Sequence, residues 1–298
     1  MTKGISTFPL SKLHYAWGEH VIDKASGLEV FHAETAHSLI QAAGYLKHTR
    51  AISHRKGVFF RGQTKLYPTI SPTFLRGTRD GPGNVRLRKV LDVFLNKIRT
   101  DKKALRAVSD YTQEALLQHY GIKTTWIDVV DNIWVALWFA CHHAKSVVRG
   151  QEEYLHFEKR IPHQNSKAAE PDYAYILLVE SAYFEPVVGQ PGHYKDNRSE
   201  TIDLRIAAPS QFVRPHAQHG VLVRQLSKAG LPVSNFKSLH AGTIRVNLSS
   251  ALDWMGSGAT LTCHAIFPPA YYDHGYRELL EFVRPSDKEL GFIHRIQA

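Results

Sequence analysis

LQHYGIKTTWIDVVDNIWVALWFA, residues 117–140, contains a helix end, a short strand and an apolar helix in direct succession. Gly121 is a typical helix stop, so the first residues close a helix that begins near Ser109 or Asp110. TTWIDVV, residues 124–130, predicts a short buried strand. The next helix is apolar on nearly all sides, with Asp131 as its expected cap, which predicts that it lies in the core.

Two helices and one strand are predicted before that stretch. Residues 34–48 have apolar positions at helical spacing after Thr35, a suitable cap. GVFFRGQ, residues 57–63, predicts a buried strand that ends in an arginine and a glycine. Between Val85 and Arg106 basic residues alternate with apolar ones, which predicts an amphipathic helix with a positive outer face. We expect residues 1–50 to form a helical extension and residues 51–298 the main domain.

The second half of the sequence is rich in predicted strands. The clearest are YAYILLVE (residues 173–180), GVLVRQL (220–226) and GTIRVNL (242–248). Residues 146–172 are polar and charged, which indicates an insertion loop, and a final helix is predicted around residues 276–283. Helices early and strands late predict the α+β fold class.

The chain has 298 residues, a formal net charge of +10 and a pI near 9.5. Such an excess of positive charge attracts polyanions, although many basic proteins owe it to solubility alone. We therefore expect a nucleic acid as partner. Its expected contacts lie on the outer face of the basic helix, at Arg86, Arg88, Lys102 and Lys103.

Nothing in the sequence predicts a membrane span or a secretion signal. No run of about eighteen apolar residues occurs, and MTKGISTFPLSKLHYAW at the N-terminus lacks the apolar core of a signal peptide. Cys141 and Cys263 lie far apart in apolar surroundings, which favours buried free thiols over a disulfide. We therefore expect a cytoplasmic protein with no membrane partner.

Several familiar functional motifs are absent from the sequence. It has neither the glycine-rich dinucleotide pattern nor the phosphate-binding loop of nucleoside triphosphatases, and no serine-hydrolase nucleophile elbow. Cys141, His142 and His143 lack a second pair of ligands at zinc spacing. His216 and His219 have no carboxylate nearby in sequence, so we expect no metal.

Three polar clusters interrupt apolar sequence and hold the candidate functional residues. The first is Phe60-Arg61-Gly62-Gln63. An arginine at the end of a buried strand is costly to bury unless it meets an anion or a carboxylate. The glycine beside it lets another group approach the backbone closely. Arg61 therefore binds either an anionic ligand or a buried acidic side chain.

The other two clusters also allow more than one interpretation. The second runs from Gln118 to Asp128, where a helix end, a turn and a strand set polar groups around one cleft. Asp128 is either part of that cleft, a helix cap or the partner of Arg61. The third is Ala217-Gln218-His219-Gly220, which either faces a ligand at the start of a strand or forms a plain turn.

Together, FFRGQ, LQHYGIKTTWIDVVDNIWVALWFA and AQHGVLV resemble the FRG family, named for its Phe-Arg-Gly motif. Members typically show a Tyr/Phe-Arg-Gly-Gln start, a Gln-His-Tyr-Gly turn, a Leu-Asp-Trp-Thr strand, an Ala-Leu-Tyr-Phe-Ala helix and a late Gln-Gly. The resemblance spans residues 58–225, and its most specific part is the stretch from Gln118 to Ala140. Here Trp126 to Val130 replaces the usual strand, and His219 separates Gln218 from Gly220.

The order of these motifs is similar to that of ADP-ribosyltransferases. The resemblance therefore implies a split mixed β-sheet core with flanking helices, and NAD as the substrate that supplies ADP-ribose. Arg61 falls at the first-strand position that grips NAD, Asp128 at the second-strand position, and Gln218 or His219 near the late-strand position. Those enzymes usually carry a glutamate at the last position. The implied NAD-binding residues are Phe60, Gly62, Gln63, Ser71, His119, Tyr120, Thr124 and Trp126.

The resemblance also implies a function and partners. His119, Tyr120 and Trp126 would wall a nicotinamide pocket, since aromatic faces suit a planar ring. Transfer of ADP-ribose to a nucleic acid, RNA rather than DNA, is the expected reaction. Such a protein resembles toxins of phage-defence and toxin–antitoxin systems, which implies an antitoxin protein as partner. The alternatives are a non-catalytic nucleotide- or nucleic-acid-binding module, a transferase acting on protein, an NAD glycohydrolase and a metal nuclease.

Overall fold

The computed structural model describes residues 18–24, 26–67, 69–76, 82–101, 105–163, 171–256 and 261–297. Its strands are β1 (Gly18–Ile22), β2 (Glu29–Ala33), β3 (Lys56–Gln63), β4 (Ile127–Val130), β5 (His142–Arg149), β6 (Glu152–Lys159), β7 (Tyr173–Ala182), β8 (His193–Lys195), β9 (Ser199–Asp203), β10 (Gly220–Gln225), β11 (His240–Asn247) and β12 (His294–Gln297). Its α-helices are α1 (Ala36–His54), α2 (Pro82–Asp101), α3 (Asp110–His119), α4 (Ile133–Ala140), α5 (Leu204–Ala207), α6 (Arg214–Ala217), α7 (Leu248–Trp254), α8 (Cys263–Ile266) and α9 (His274–Phe282).

Within these residues, nine strands form the main sheet in the order β1-β2-β11-β7-β3-β4-β10-β9-β8. β2 pairs with β11 in parallel, whereas β7 pairs antiparallel with both β11 and β3, so the sheet is mixed. A second sheet in the same part of the chain has the order β12-β6-β5. A mixed sheet with several helices confirms the α+β prediction. Phe59 to Gly62 lie on β3, at the middle of the main sheet, as predicted.

Side chains alternate across the main sheet, so its two faces belong to two cores. One face, which includes Phe60, packs against α1 and α4. The opposite face, which includes Phe59 and Leu177, packs against the loops that carry Ile70 and Phe236. The predicted burial of the α4 helix is confirmed, because most of its side chains are inaccessible to solvent.

The main sheet opens between β3 and β4. β3 pairs with β7 along its whole length, from Lys56 to Gln63. It pairs with β4 only where Phe60 faces Val130. β4 instead follows β10 from Ile127 to Val130. Beyond the Phe60–Val130 pair the two central strands are therefore joined by side chains rather than by a backbone ladder.

The helix α2 is amphipathic, as its sequence predicts. Its apolar residues pack with those of α3 in one core, and they include Leu91 and Phe94. Lys89 and Lys97 are exposed on the other side of the helix. The basic outer face that composition indicated is therefore present along the described part of this helix.

The expectation of a helical extension over residues 1–50 is corrected by the structure. Residues 1–17 lie outside the described ranges, but β1 and β2 extend the edge of the main sheet before α1 begins. β2 is held there by Phe31, which is buried and sits opposite Ile244 of β11. The predicted Thr35 cap of α1 is confirmed, since its side chain accepts from the Ser38 amide.

Two further expectations are corrected. Residues 146–172 are not simply a loop, because β5 and β6 form a long hairpin that turns at Gly150, with a φ of 62°. Asp131 does not cap α4. The side chain of Asn132 accepts from the first amides of that helix. Asp131 instead pairs with Lys47 and Arg205, two cations that are distant in sequence.

Candidate functional site

The opening between β3 and β4 brings Arg61 and Asp128 together. Arg61 is half-buried on β3, and its Nη1 donates to the backbone carbonyl oxygen of Asp128 at 2.6 Å. Burial lowers the pKa of Arg61, the charge of Asp128 opposes this, and the charge of Arg76 adds to it. An arginine nevertheless stays protonated throughout the physiological range. The opening therefore holds a permanent cation.

The Asp128 carboxylate is held by two neighbours from the end of α3. Gln118 Nε2 donates to its Oδ2 at 3.0 Å, and His119 Nδ1 donates to its Oδ1 at 3.1 Å. Burial tends to raise the pKa of Asp128. The hydrogen bond and charge of His119, helped by Gln118 and Arg61, outweigh burial, so the pKa falls below its ordinary value. Its side chain is still 38% exposed. An ionised carboxylate is thus accessible from solvent beside a cation.

Two further contacts fix those neighbours in place. The Oε1 of Gln118 accepts from the amide and from the hydroxyl of Thr124, each at 3.0 Å, so its amide nitrogen must face Asp128. The His119 ring is almost completely buried and packs on Gly220. A Cβ at Gly220 would lie 2.7 Å from Cε1 of that ring. The glycine of the third sequence cluster therefore makes room for a residue of the second.

Tyr120 and Trp126 lie in the core and not on a pocket wall, contrary to expectation. The Tyr120 hydroxyl donates to Asp273 at 2.6 Å, and the guanidinium of Arg214 lies 4.3 Å from its ring centroid. Burial raises the pKa of Tyr120 well above its ordinary value. Trp126 is 2% exposed and is covered by the Arg224 guanidinium at 4.2 Å. Neither ring offers a free face to a ligand.

Phe60 and Gly62 are also occupied by packing. Phe60 is 4% exposed in the core beneath α1 and α4. A Cβ at Gly62 would lie 1.8 Å from the carbonyl oxygen of Ala136, so this glycine allows α4 to rest directly on β3. Gln63 follows at the end of the strand, and Ser71 is half-buried in the loop beyond it. Another group does approach the backbone of Gly62 closely, as predicted. That group is the α4 helix and not a ligand.

Gln218 and His219 do not join Arg61 and Asp128 through any hydrogen bond among the described residues. Gln218 is buried and donates to the carbonyl oxygen of Ile266 at 2.9 Å. His219 has a φ of 52° and its carbonyl accepts from the Asp131 amide. Burial lowers the pKa of the half-buried His219 ring, as does the nearby charge of Arg205. Gln218 is thus bonded to α8, and the backbone of His219 is bonded to that of Asp131.

The predicted nucleic-acid contacts on α2 have partners within the chain. Arg86 pairs with Glu289, and Arg88 donates to the carbonyl oxygen of Pro232. Lys102 and Lys103 lie outside the described residues. At least part of the hydrogen-bonding capacity of Arg86 and Arg88 is therefore used by contacts within the chain.

Gln118 is the site residue for which no separate role was predicted. It belongs to the Gln-His-Tyr-Gly turn, and its two hydrogen-bonding ends connect Thr124 to Asp128. The available signal was its position directly before His119 at a helix end, ten residues ahead of Asp128. Two polar residues in succession at such an end can both turn toward one strand.

Among the described residues, no group of three or more histidine, cysteine, aspartate or glutamate side chains is arranged to hold a metal ion. No helix in those ranges is both long enough and apolar enough to cross a membrane. Cys141 is buried and Cys263 is half-buried, and both are free thiols.

Comparison with known proteins supports a resemblance to one family. No curated protein matches the chain, and no solved structure matches it. The family model described as the FRG domain matches residues 56–149, the segment from β3 to β5 that holds Arg61, Gln118, His119 and Asp128, and this match supports the resemblance to the FRG-domain family.

Proposed function

We propose that this protein is an NAD-dependent ADP-ribosyltransferase whose reaction takes place at the opening between β3 and β4. The observation that carries the proposal is the pair formed there by Arg61 and Asp128. A permanent cation and an ionised carboxylate lie on the two strands that border the opening, and the carboxylate is partly exposed. The FRG-domain match covers the same residues and supports the family resemblance from which this reaction is inferred.

Asp128 would act on the charge that develops at the ribose carbon. Breaking a glycosidic bond makes that carbon more positive, and a fixed carboxylate nearby stabilises this charge. Gln118 and His119 keep the Asp128 oxygens in one orientation and keep the group ionised. Because these contacts exist before a substrate binds, little reorganisation is needed during the reaction.

Arg61 would bind the phosphates of NAD. Its guanidinium has five N–H donors in a planar fork that suits phosphate oxygens, and Nη1 is already placed by the Asp128 carbonyl. That bond holds the fork at the edge of the opening. The negative charge of Asp128 and that of a phosphate would lie on opposite sides of the same cation.

The residues present fit NAD in part. Arg61 and Asp128 suit its phosphates and ribose, whereas the buried rings of Tyr120 and Trp126 cannot receive its nicotinamide. Bound NAD would supply the ADP-ribosyl group. The protein would supply charge and orientation, through Arg61, Asp128 and the pair Gln118 and His119.

RNA is the acceptor that we propose, and a toxin with an antitoxin partner is the biological setting. The net charge of +10 favours a polyanionic acceptor. Within α2, Lys89 and Lys97 are exposed, and they replace Arg86 and Arg88 as the leading phosphate contacts.

Incubation of the purified chain with labelled NAD and with RNA, DNA or protein tests the proposal. We expect label on RNA and a loss of roughly a hundredfold in Asp128→Asn, as for removal of one transition-state contact. Asp253→Asn, an exposed aspartate on α7, is the matched control. Label on none of the acceptors, together with NAD that stays intact, would favour the non-catalytic binding module.

A further inference from the structure

A pocket lies on the sheet face opposite α4, where the loop after β3 folds back over β7. Its volume is about 70 Å³, several times the roughly 10–15 Å³ that one water molecule needs. Leu66, Tyr67 and Thr69 of the loop line one side, and Leu177 of β7 lies opposite. The function proposed above does not use this space.

The lining combines apolar surface with an aromatic face and a polar rim. Leu66 and Leu177 supply the apolar surface, and Tyr67 is 44% exposed, with the Lys65 ammonium 5.2 Å from its ring centroid. Lys237 and His240 complete the rim. His240 Nε2 is bonded to the Thr243 hydroxyl at 2.9 Å, and burial lowers the pKa of this ring, which favours its neutral form. Small-molecule sites are typically lined in this way, by apolar and aromatic side chains with a few polar groups.

The pocket is adjacent to Arg61. Arg61 and Leu177 are direct partners in the β3–β7 ladder. Phe59 belongs to the same core as Leu177, and side chains two residues apart on a strand share a face, so Arg61 lies on the pocket side of the sheet. Directly opposed residues have their Cβ atoms about 5 Å apart. The Arg61 side chain therefore begins beside the pocket residue Leu177, and its guanidinium ends at the Asp128 carbonyl oxygen on β4.

We propose that this pocket binds the base of a nucleotide whose phosphate is bound by Arg61. The inference rests on the proposed function only for the identity of that nucleotide, which would be NAD. Adenine and nicotinamide share the required chemistry, a planar heteroaromatic ring joined to a ribose 5′-phosphate. Tyr67 stacks on the ring, Leu177 contacts its edge, and Lys237 lies at the rim.

Calorimetric titration of the full chain with four probes tests the proposal: AMP, nicotinamide mononucleotide, NAD and the base-free ribose 5-phosphate. We expect at least one base-containing probe to bind about tenfold or more tightly than ribose 5-phosphate, since stacking of one base on an aromatic side chain has that magnitude. The base-containing probe whose affinity most exceeds that of ribose 5-phosphate identifies the base. Tyr67→Ala should remove most of this gain, and Thr69→Trp, which fills the pocket from an exposed position, should abolish it.

Tyr271→Ala is the matched control, because Tyr271 is 66% exposed and does not line the pocket. Its affinities should equal those of the wild type, and melting curves check that all variants fold. Equal binding of all four probes, no binding of any, or wild-type affinity in both Tyr67→Ala and Thr69→Trp would overturn the proposal.

The binding test of the pocket and the transfer test of the catalytic proposal have separate outcomes. Base-dependent binding without any ADP-ribose transfer would leave the pocket assigned and the catalytic proposal refuted. ADP-ribose transfer at the full rate in Thr69→Trp would refute the pocket proposal and leave the catalytic proposal in place.

Discussion

Arg61 Nη1 donates to the backbone carbonyl oxygen of Asp128 at 2.6 Å, although the two residues are 67 positions apart. This bond crosses the sheet where the β3–β4 backbone ladder has ended. A side chain therefore joins the two central strands at the point where they separate. The Asp128 carboxylate instead accepts from Gln118 and His119, at the end of α3.

The effects of replacing Arg61 and Asp128 on ADP-ribose transfer should be non-additive. We expect Arg61→Ala and Asp128→Asn each to lower ADP-ribose transfer by roughly a hundredfold, and the double variant to lose little more, because groups that serve one transition state are strongly non-additive. The measurement is initial transfer rate with labelled NAD. Independent losses that multiply would show that the two residues do not act as a unit.

Thermal melting separates that result from misfolding. Arg61→Lys keeps the charge but not the planar fork, so it should melt near the wild type and still transfer poorly. An early melt of Arg61→Ala with full activity in Asp128→Asn would mean that both residues are structural.

His119 should determine the acidic limit of activity. Its hydrogen bond and charge help to lower the pKa of Asp128, so His119→Gln should let that pKa rise. Since the ionised form is required, activity should then be lost at a higher pH as the solution is acidified. The measurement is the pH profile of transfer. His142→Gln, a change on β5 outside the site, should leave the profile in place.

The centre of the fold follows from local sequence alone. The apolar runs at 133–140 and around Phe59 and Phe60 predict buried elements, and the spacing of apolar and basic residues in α2 predicts an amphipathic helix. The pairing of Arg61 with Asp128 was one of the open alternatives. It is present, but the bond goes to the carbonyl oxygen rather than to the carboxylate.

The roles of single polar and aromatic residues could not be obtained in this way. Tyr120 looks the same in sequence whether it lines a pocket or donates to a buried Asp273, because that aspartate comes 153 residues later. Asp131 and Asn132 have similar capping preferences. Which of the two residues caps α4 depends on Lys47 and Arg205, because these cations pair with Asp131 only in the folded chain.

Gly62 should be among the least replaceable residues of the chain. Gly62→Ala would place a methyl group 1.8 Å from the Ala136 carbonyl, so α4 must move from β3, at a cost of about 3 kcal/mol or more. Gly44→Ala is the matched control, since Gly44 is exposed within α1 and has open space around its Cα. That change should stabilise by up to about 1 kcal/mol. Urea unfolding of both variants measures the contrast.

Stability should decrease as the pH falls below the ordinary histidine pKa of 6.5. Burial lowers the pKa of His32, His142, His219, His240 and His294 in the folded chain. The unfolded state then binds more protons than the folded state once the pH passes below 6.5, so the free energy of unfolding declines. Urea unfolding at pH 7.5, 6.5 and 5.5 measures this, and a constant free energy across the series would contradict it.

RNA affinity should depend on the exposed lysines of α2. Lys89→Glu with Lys97→Glu should weaken binding to a single-stranded RNA and reduce the slope of log affinity against log salt by about one per lost phosphate contact. Arg88→Glu should have a smaller effect on the slope, because Arg88 already donates to the Pro232 carbonyl. Lys159→Glu with Lys195→Glu changes net charge equally at exposed positions on β6 and β8, outside α2, and so controls for long-range attraction. Fluorescence anisotropy between 50 and 200 mM salt, about the range over which such slopes are steep, provides the measurement. Equal losses in the two double variants would mean that net charge, and not the α2 face, determines RNA binding.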